Sequence, residues 1–220
     1  MHSPTAEFYR DNAQSLADSY NALPFTEVHR SWAKFWPQEP ADNLTVLDVG
    51  AGSGRDAHWL ARRGAQVVAV EPSPGLRMVG QAFTKGMAVN WLDDTLPKLS
   101  TTIELAMRFD LILVSAVWMH IAAGERERAF RKLAHQLKAG GHLVITLRHG
   151  SFDDVRKAYG VSAEELEQLA GRYGLVVSLR SDPQVDAMGR DGVQWQTVVL
   201  TKPKDGSNNL VFIAPKVLSS

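Results

Sequence analysis

The sequence predicts an α/β protein: a doubly wound, mostly parallel seven-stranded sheet with an antiparallel terminal edge strand, preceded by an N-terminal helical cap. Three observations predict it. From Leu44 onward, short β-branched runs alternate with stretches of helical spacing, as in strands joined by crossover helices. The first run, Thr45 to Val49, passes directly into a glycine-rich loop and then a helical stretch. The last two apolar runs are separated by a polar loop holding Pro183, Gly189 and Gly192, too turn-rich for a crossover helix, so they pair antiparallel.

The elements follow in order. Ser3-Pro4 is a helix start, a cap followed by proline in the first turn. Tyr9, Ala13, Leu16 and Tyr20 then lie on one helical face. A second short helix is expected over Thr26–Trp36, ended by Pro37 and Pro40. Helices are expected over Arg55–Arg63 and Leu76–Phe83, and another around Phe130 and Leu133 that stops at Gly140-Gly141. Strands are expected over Gln66–Val70, Ala88–Leu92, Phe109–Ala116 and His142–Leu147. Ser162 with Glu165 three residues on is a capping box opening a helix through Leu166 and Leu169. Leu175–Leu179 and Val193–Leu200 complete the sheet. The resulting division is a cap over 1–40, a sheet domain over 41–202 and a tail over 203–220, in which Leu210 to Ile213 is an unexplained apolar run.

Composition narrows the function. The 220 residues carry 24 Lys+Arg against 24 Asp+Glu, so no bulk charge favours nucleic acid. The basic and acidic residues from Glu125 to Lys132 read as a solvated helix face. The chain has no cysteine, which excludes disulfides, thiolate metal sites and cysteine nucleophiles. Its histidines show no metal-ligand spacing, so no metal is expected. The longest apolar run, Leu111 to Met119, is far short of the ~20 residues of a membrane helix. The reading is a soluble, cytoplasmic protein.

Gly50-Ala51-Gly52-Ser53-Gly54 is the strongest chemical signal. Alternating glycines permit positive φ and let a ligand lie against the backbone, and the following helix start offers free N–H groups. Gly52-x-Gly54-x-x-Ala57 also fits a dinucleotide fingerprint, with Glu71 at the end of the next strand. Asp48 opposes that fit. A carboxylate there would repel a pyrophosphate and suit a cationic ligand carrying an amino group.

Val46 to Gly54 resembles the first motif of the class I S-adenosyl-L-methionine (SAM)-dependent methyltransferases. Val67 to Ser73 is similar to their second strand with its terminal acid, and Trp91 to Pro97 to their third-strand region. Phe109 to Ser115 resembles the fourth-strand motif. Leu137 to Ile145 resembles the lead into the fifth strand, with Ala139 in place of the usual proline. The resemblance covers residues 44–202 and implies a Rossmann-like fold, SAM as cofactor and a small-molecule methyl acceptor. The alternatives are an RNA or protein methyltransferase and a non-catalytic SAM-binding module.

The resemblance also implies roles. The loop from Gly50 through Ala51, Gly52 and Ser53 to Gly54 would carry the methionine part, with Asp48 near its amino group. Glu71, followed by Pro72, would take both ribose hydroxyls, and Asp93 or Asp94 the adenine amino group. Ser115 and Trp118 follow the fourth strand as pocket candidates. A base is needed only where the acceptor atom carries a proton, and His120 and His149, past the fourth and fifth strands, are the candidates. Tyr9 and Tyr20 are expected to wall the site from the cap.

Overall fold

The computed structural model describes residues 4–204. Ser3 and the apolar run Leu210 to Ile213 lie outside the described residues. Eight strands form one sheet in the order β3-β2-β1-β4-β5-β8-β6, with the two-residue β7 paired to β8. They are β1 (Thr45–Val49), β2 (Gln66–Val70), β3 (Val89–Leu92), β4 (Phe109–Val114), β5 (Leu137–His149), β6 (Val176–Arg180), β7 (Gln184–Val185) and β8 (Gln194–Thr201). The pairs β1–β2, β1–β4, β2–β3 and β4–β5 are parallel. Only β8 runs against its long neighbours, pairing antiparallel with both β5 and β6. It therefore lies one place in from the edge, and β6 is the outer strand.

The strands are β-branched because both faces are covered, and period 2 sends alternate residues to different layers. Leu47 and Val49 face a core with Phe130, Leu133 and Leu166. Val46 faces the other, with Phe25, Trp32, Ala57 and Leu60. The helices are α1 (Pro4–Asp11), α2 (Ala13–Asn21), α3 (Phe25–Val28), α4 (Arg55–Arg62), α5 (Pro74–Phe83), α6 (Ser100–Glu104), α7 (Ala123–Gln136) and α8 (Ala163–Arg172).

Several boundaries differ from the sequence expectation for physical reasons. The first helix is interrupted at Asn12, whose ψ of 16° leaves the helical range. The expected helix over Thr26–Trp36 is α3 followed by a 3-10 segment, Arg30–Phe35, because Trp32 at ψ 25° breaks the α-helical ladder. The helix through Leu133 ends at Gln136 rather than at the glycines: Leu137 already pairs with Phe109, and the glycines fall within β5. There a Cβ at Gly141 would lie 2.9 Å from the Asp110 carbonyl, so the strand pair needs glycine. The capping box forms in half. Ser162 Oγ accepts the Glu165 amide at 3.2 Å, while the Glu165 carboxylate turns to Arg126 at 2.8 Å. Arg126 is 3% exposed, so the expected solvated face of α7 includes a buried cation.

α1 and α2 lie on α5, close enough that a Cβ at Gly75 would stand 2.7 Å from that of Ala13. Phe25 anchors the next turn, stacked on Trp59 at 3.8 Å between ring centres and edge-on to Trp32 and Trp36. Phe25→Ala should cost about 3–5 kcal/mol through the lost burial and the cavity left behind. Urea unfolding checks this, and a loss below about 1 kcal/mol would show that the aromatic cluster does not bear on stability.

Candidate active site

The carboxyl ends of β1, β2, β4 and β5 open into a cavity of about 680 Å³. That is the size of a small-molecule site, at the place where strand order reverses around β1. The glycine loop forms one wall, and two of its glycines are sterically required. Gly50 has φ 72°, and a Cβ there would fall 2.3 Å from Val117 Cγ2. Gly54, at φ 85°, faces Trp91 and lies so close to α5 that a Cβ would meet the Gly80 Cα at 3.2 Å. Gly52 is different: a Cβ on it would meet nothing nearer than the Gly50 carbonyl at 4.0 Å. The space over Gly52 is therefore a cradle into which a ligand fits against bare backbone.

Glu71 closes the loop from β2. Its Oε2 accepts the Gly52 amide at 2.9 Å and its Oε1 accepts the Ser73 amide at 2.7 Å. Burial raises its pKa, and those two N–H groups oppose the rise. Each oxygen keeps a lone pair, and Glu71 borders the cavity. Pro72 and Leu76 continue that wall.

Beside the loop, Asp56 binds Arg55 Nε at 2.6 Å and His29 Nε2 at 2.8 Å. Despite the cost of burial, those two partners hold its carboxyl below the usual range. Arg55 and Asp56 both border the cavity. Neither stands out in sequence, because an Arg-Asp pair at a helix start reads as ordinary capping.

Past β4 a 3-10 turn, Trp118–His120, directs His120 into the cavity. Its Nδ1 lies 3.0 Å from the Lys157 carbonyl and its Nε2 3.0 Å from the Tyr9 hydroxyl. A carbonyl can only accept, so Nδ1 carries the proton. Nε2 is then the free lone pair, accepting from Tyr9. The ring stacks on Phe152 at 5.4 Å. Burial pushes the His120 pKa down and pushes Tyr9 up to about 12. Arg156 lies over Phe8 and Phe152 and is paired with Asp154 at 2.6 Å.

Other candidates fall in varied places. Ala51, Ser53, Ser115 and Tyr20 border the cavity, and Ser53 Oγ donates to Asn21 of α2 at 2.7 Å. Asp94 borders it with both oxygens engaged, by the amides of Thr95, Ser100 and Thr102 and the Thr102 hydroxyl. It is the cap of α6, a helix not foreseen from sequence. Four candidates need correction. Asp93 points outward, 69% exposed and paired with Arg77. Asp48 shares the face of Val46 and lies buried under the loop, off the cavity, with Oδ2 unpartnered. Burial and the Asp56 charge push its pKa well up, against Arg55. Trp118 is fully buried in the core with Phe130 and Leu133 because the 3-10 turn sends it inward. His149 is on the far face of β5, lining a small side pocket of about 280 Å³. Its neighbour Arg148 and Thr146 face the main cavity, as period 2 requires.

Residues 46–141 match the family model described as a methyltransferase domain. The chain is 33% identical over 162 residues to the ubiquinone biosynthesis O-methyltransferase of Methylobacterium sp. (strain 4-46), covering 64% of this chain and 63% of that protein. It is 34% identical over 138 residues to an uncharacterized methyltransferase of Mycobacterium tuberculosis, covering 61% and 50%. The chain thus spans from half to under two thirds of these relatives. The fold is similar to Burkholderia thailandensis 1,6-didemethyltoxoflavin-N1-methyltransferase, solved with 1,6-didemethyltoxoflavin and S-adenosylhomocysteine (TM-score 0.66, 17% identity, 91% and 88% covered). It is also similar to Haemonchus contortus phosphoethanolamine N-methyltransferase 2 (TM-score 0.67, 17% identity, 92% and 61% covered).

The Asp56 network carries a prediction. Asp56→Asn strands Arg55 and His29 and should cost about 3–5 kcal/mol in urea unfolding. Because the folded pKa is depressed, the ionised pair stabilises above the unfolded value of ~3.9 and is lost as pH falls through the lower folded value. The variant's stability should therefore fall less steeply on acidification, and parallel acid limbs would contradict the network.

Proposed function

We propose that the chain is a class I SAM-dependent methyltransferase that transfers a methyl group from SAM to an oxygen or nitrogen of a small metabolite, a reading supported by the methyltransferase-domain match over residues 46–141 and by the fold. The observation that carries this reading is the cavity itself. At one end lies the Gly52 cradle beside Glu71, and across it the His120 Nε2, which accepts from the Tyr9 hydroxyl. Glu71 would use its remaining lone pairs for the ribose hydroxyls, and the backbone of Gly50 to Ser53 would back the methionine part. Pro72, Leu76 and Leu96 supply an apolar wall for the adenine. Asp94, already saturated, would border that base without being free to bind its amino group. α1 and α2 wall the cavity, which favours a small acceptor over RNA or protein. The named relatives and fold neighbours act on oxygen and on nitrogen, as their names state.

SAM supplies a methyl group on a sulfonium with a neutral leaving group, so the chain's tasks are alignment, exclusion of water and removal of a proton where the acceptor has one. His120 is the base of this reading. The acceptor proton would pass to the Tyr9 oxygen as the Tyr9 hydroxyl proton passes to His120 Nε2. The raised Tyr9 pKa keeps that hydroxyl protonated, and therefore able to relay, at neutral pH. The depressed His120 pKa keeps its imidazole neutral to a lower pH than usual.

S-adenosylhomocysteine at 100 times its Kd should add about 2.7 kcal/mol of stability, and NAD none. Glu71→Ala should weaken that binding by about one to three orders of magnitude, the loss of one or two charge-assisted hydrogen bonds. A thermal shift with NAD alone would overturn the reading.

For catalysis, His120→Ala should lower the rate by about 10²–10⁴. Tyr9→Phe should act in the same direction, and His149→Ala should cost less than about tenfold. The wild-type rate should hold as pH falls past ~6.5, the ordinary imidazole value, and decline only below it. Steady-state pH profiles decide this. A decline beginning above pH 6.5, or equal rates for wild type and His120→Ala, would remove His120 from the proton path.

A further inference from the structure

We infer that Arg148 is the anion-binding subsite for the methyl acceptor, which is then a small molecule bearing a carboxylate or phosphate group; the inference rests on the methyl-transfer reading above. Arg148 is 4% exposed and, at the end of β5, borders both the main cavity and the small side pocket that His149 lines. Its Nη1 donates to the carbonyls of Gly150 at 2.5 Å and Ser151 at 2.9 Å, and its guanidinium lies 4.1 Å from the centre of the Phe152 ring. Its Nε is buried without a partner. Among the described residues, no carboxylate lies within ion-pair distance of it.

The contrast with the other arginines makes this unusual. Arg126, equally buried, is paired with Glu165 at 2.8 Å. Arg156 and Arg190, which flank the same part of the cavity, are paired with Asp154 and Asp186 at 2.6 Å. Arginine does not shed its proton. A buried, unpaired guanidinium is strongly unfavourable unless something supplies the opposite charge. Burial, and after it like-charge repulsion from Arg190 and Arg156, lower its pKa. Asp186 and Asp153 offset this only at longer range.

The surroundings suit an acceptor. Phe152 carries the guanidiniums of Arg148 and Arg156 and the ring of His120, so an anion on Arg148 lies beside the base. A guanidinium fork matches the two oxygens of a carboxylate or phosphate. The competing occupant is the cofactor's own carboxylate. The glycine loop ends β1, two strands from β5, about 10 Å away. Arg55 stands beside that loop instead.

The test is calorimetry on the full chain saturated with S-adenosylhomocysteine, titrated with benzoate, phenyl phosphate and neutral benzamide. At least one anion should bind and benzamide should not, and the tighter anion identifies the group. Arg148→Gln should weaken that anion about ten- to a hundredfold, the loss of a charge-assisted pair. Arg148→Lys keeps the charge without the fork and should be intermediate. It carries the test if the glutamine variant fails to fold. Cofactor-product affinity should stay within about twofold in both. Equal binding of benzamide, no anion binding, or unchanged anion affinity in Arg148→Lys would overturn the subsite. So would a loss of S-adenosylhomocysteine affinity in either variant, which would place the cofactor's carboxylate on Arg148. If wild type does not bind S-adenosylhomocysteine, the methyl-transfer reading fails instead, and the same titrations on the ligand-free chain still decide the anion site.

Discussion

The two hydrogen bonds that Glu71 accepts, from the amides of Gly52 and Ser73, hold the ends of β1 and β2 in one fixed relation. The cradle over Gly52 depends on them. With φ at 56°, Gly52 points its N–H at Glu71 and leaves its Cα side open. The same carboxylate fixes the turn into α5, against which α1 and α2 rest. Burial raises its pKa, and the backbone N–H groups favour the charged form. A ligand held by Glu71 would therefore meet a carboxyl group whose position is already set by backbone.

Charge is distributed unevenly around the cavity. Near the glycine loop Asp56 is paired with Arg55, and past β5 Arg156 and Arg190 are paired with Asp154 and Asp186, whereas Glu71 by the loop and Arg148 past β5 border the cavity without an ion-pair partner among the described residues. Tyr9 and Tyr20 sit between, influenced by Glu71 on one side and Arg156 on the other. On the proposed function, the cofactor would lie by Glu71 and an anionic acceptor by Arg148, with Tyr9 and His120 between them.

The sheet was legible in the sequence because its central parallel strands β1, β2 and β4 are buried apolar runs, while β6 and β8 were marked by apolar runs flanking a turn-rich loop. What escaped is short or locally specified. α6 is a five-residue helix, Ser100–Glu104, that starts after Leu99 at φ 47° and is capped from a distance by Asp94. β7 is only two residues. In the cavity, the loop and Glu71 were visible as strand ends. The exchange of His149 for Arg148 was also available in principle, since alternate residues of a strand face opposite ways. Trp118 was not, because only the 3-10 turn after β4 decides which of its residues points inward. Phe152 and Arg156 lie in an irregular segment and reach the cavity through long-range packing that no periodicity records.

That irregular segment ties the site's closure to its chemistry. The Tyr159 amide donates to the Met119 carbonyl at 2.8 Å, and the Lys157 amide to the Thr5 hydroxyl of α1 at 3.0 Å. The Lys157 carbonyl is the acceptor that fixes the His120 tautomer. One stretch of backbone thus holds α1 over the cavity and directs the imidazole lone pair toward Tyr9. These hydrogen bonds, each worth about 1 kcal/mol net, add to the contacts of Phe8 and Tyr9 with Arg156 and of Tyr9 with the His120 ring. Losing the Lys157 contact frees Nδ1, and the ring then has no partner forcing its proton to that nitrogen. Nε2 is a defined acceptor when α1 and residues 150–160 are in place, so on the proposed function the base would be oriented in the same arrangement that walls the cavity.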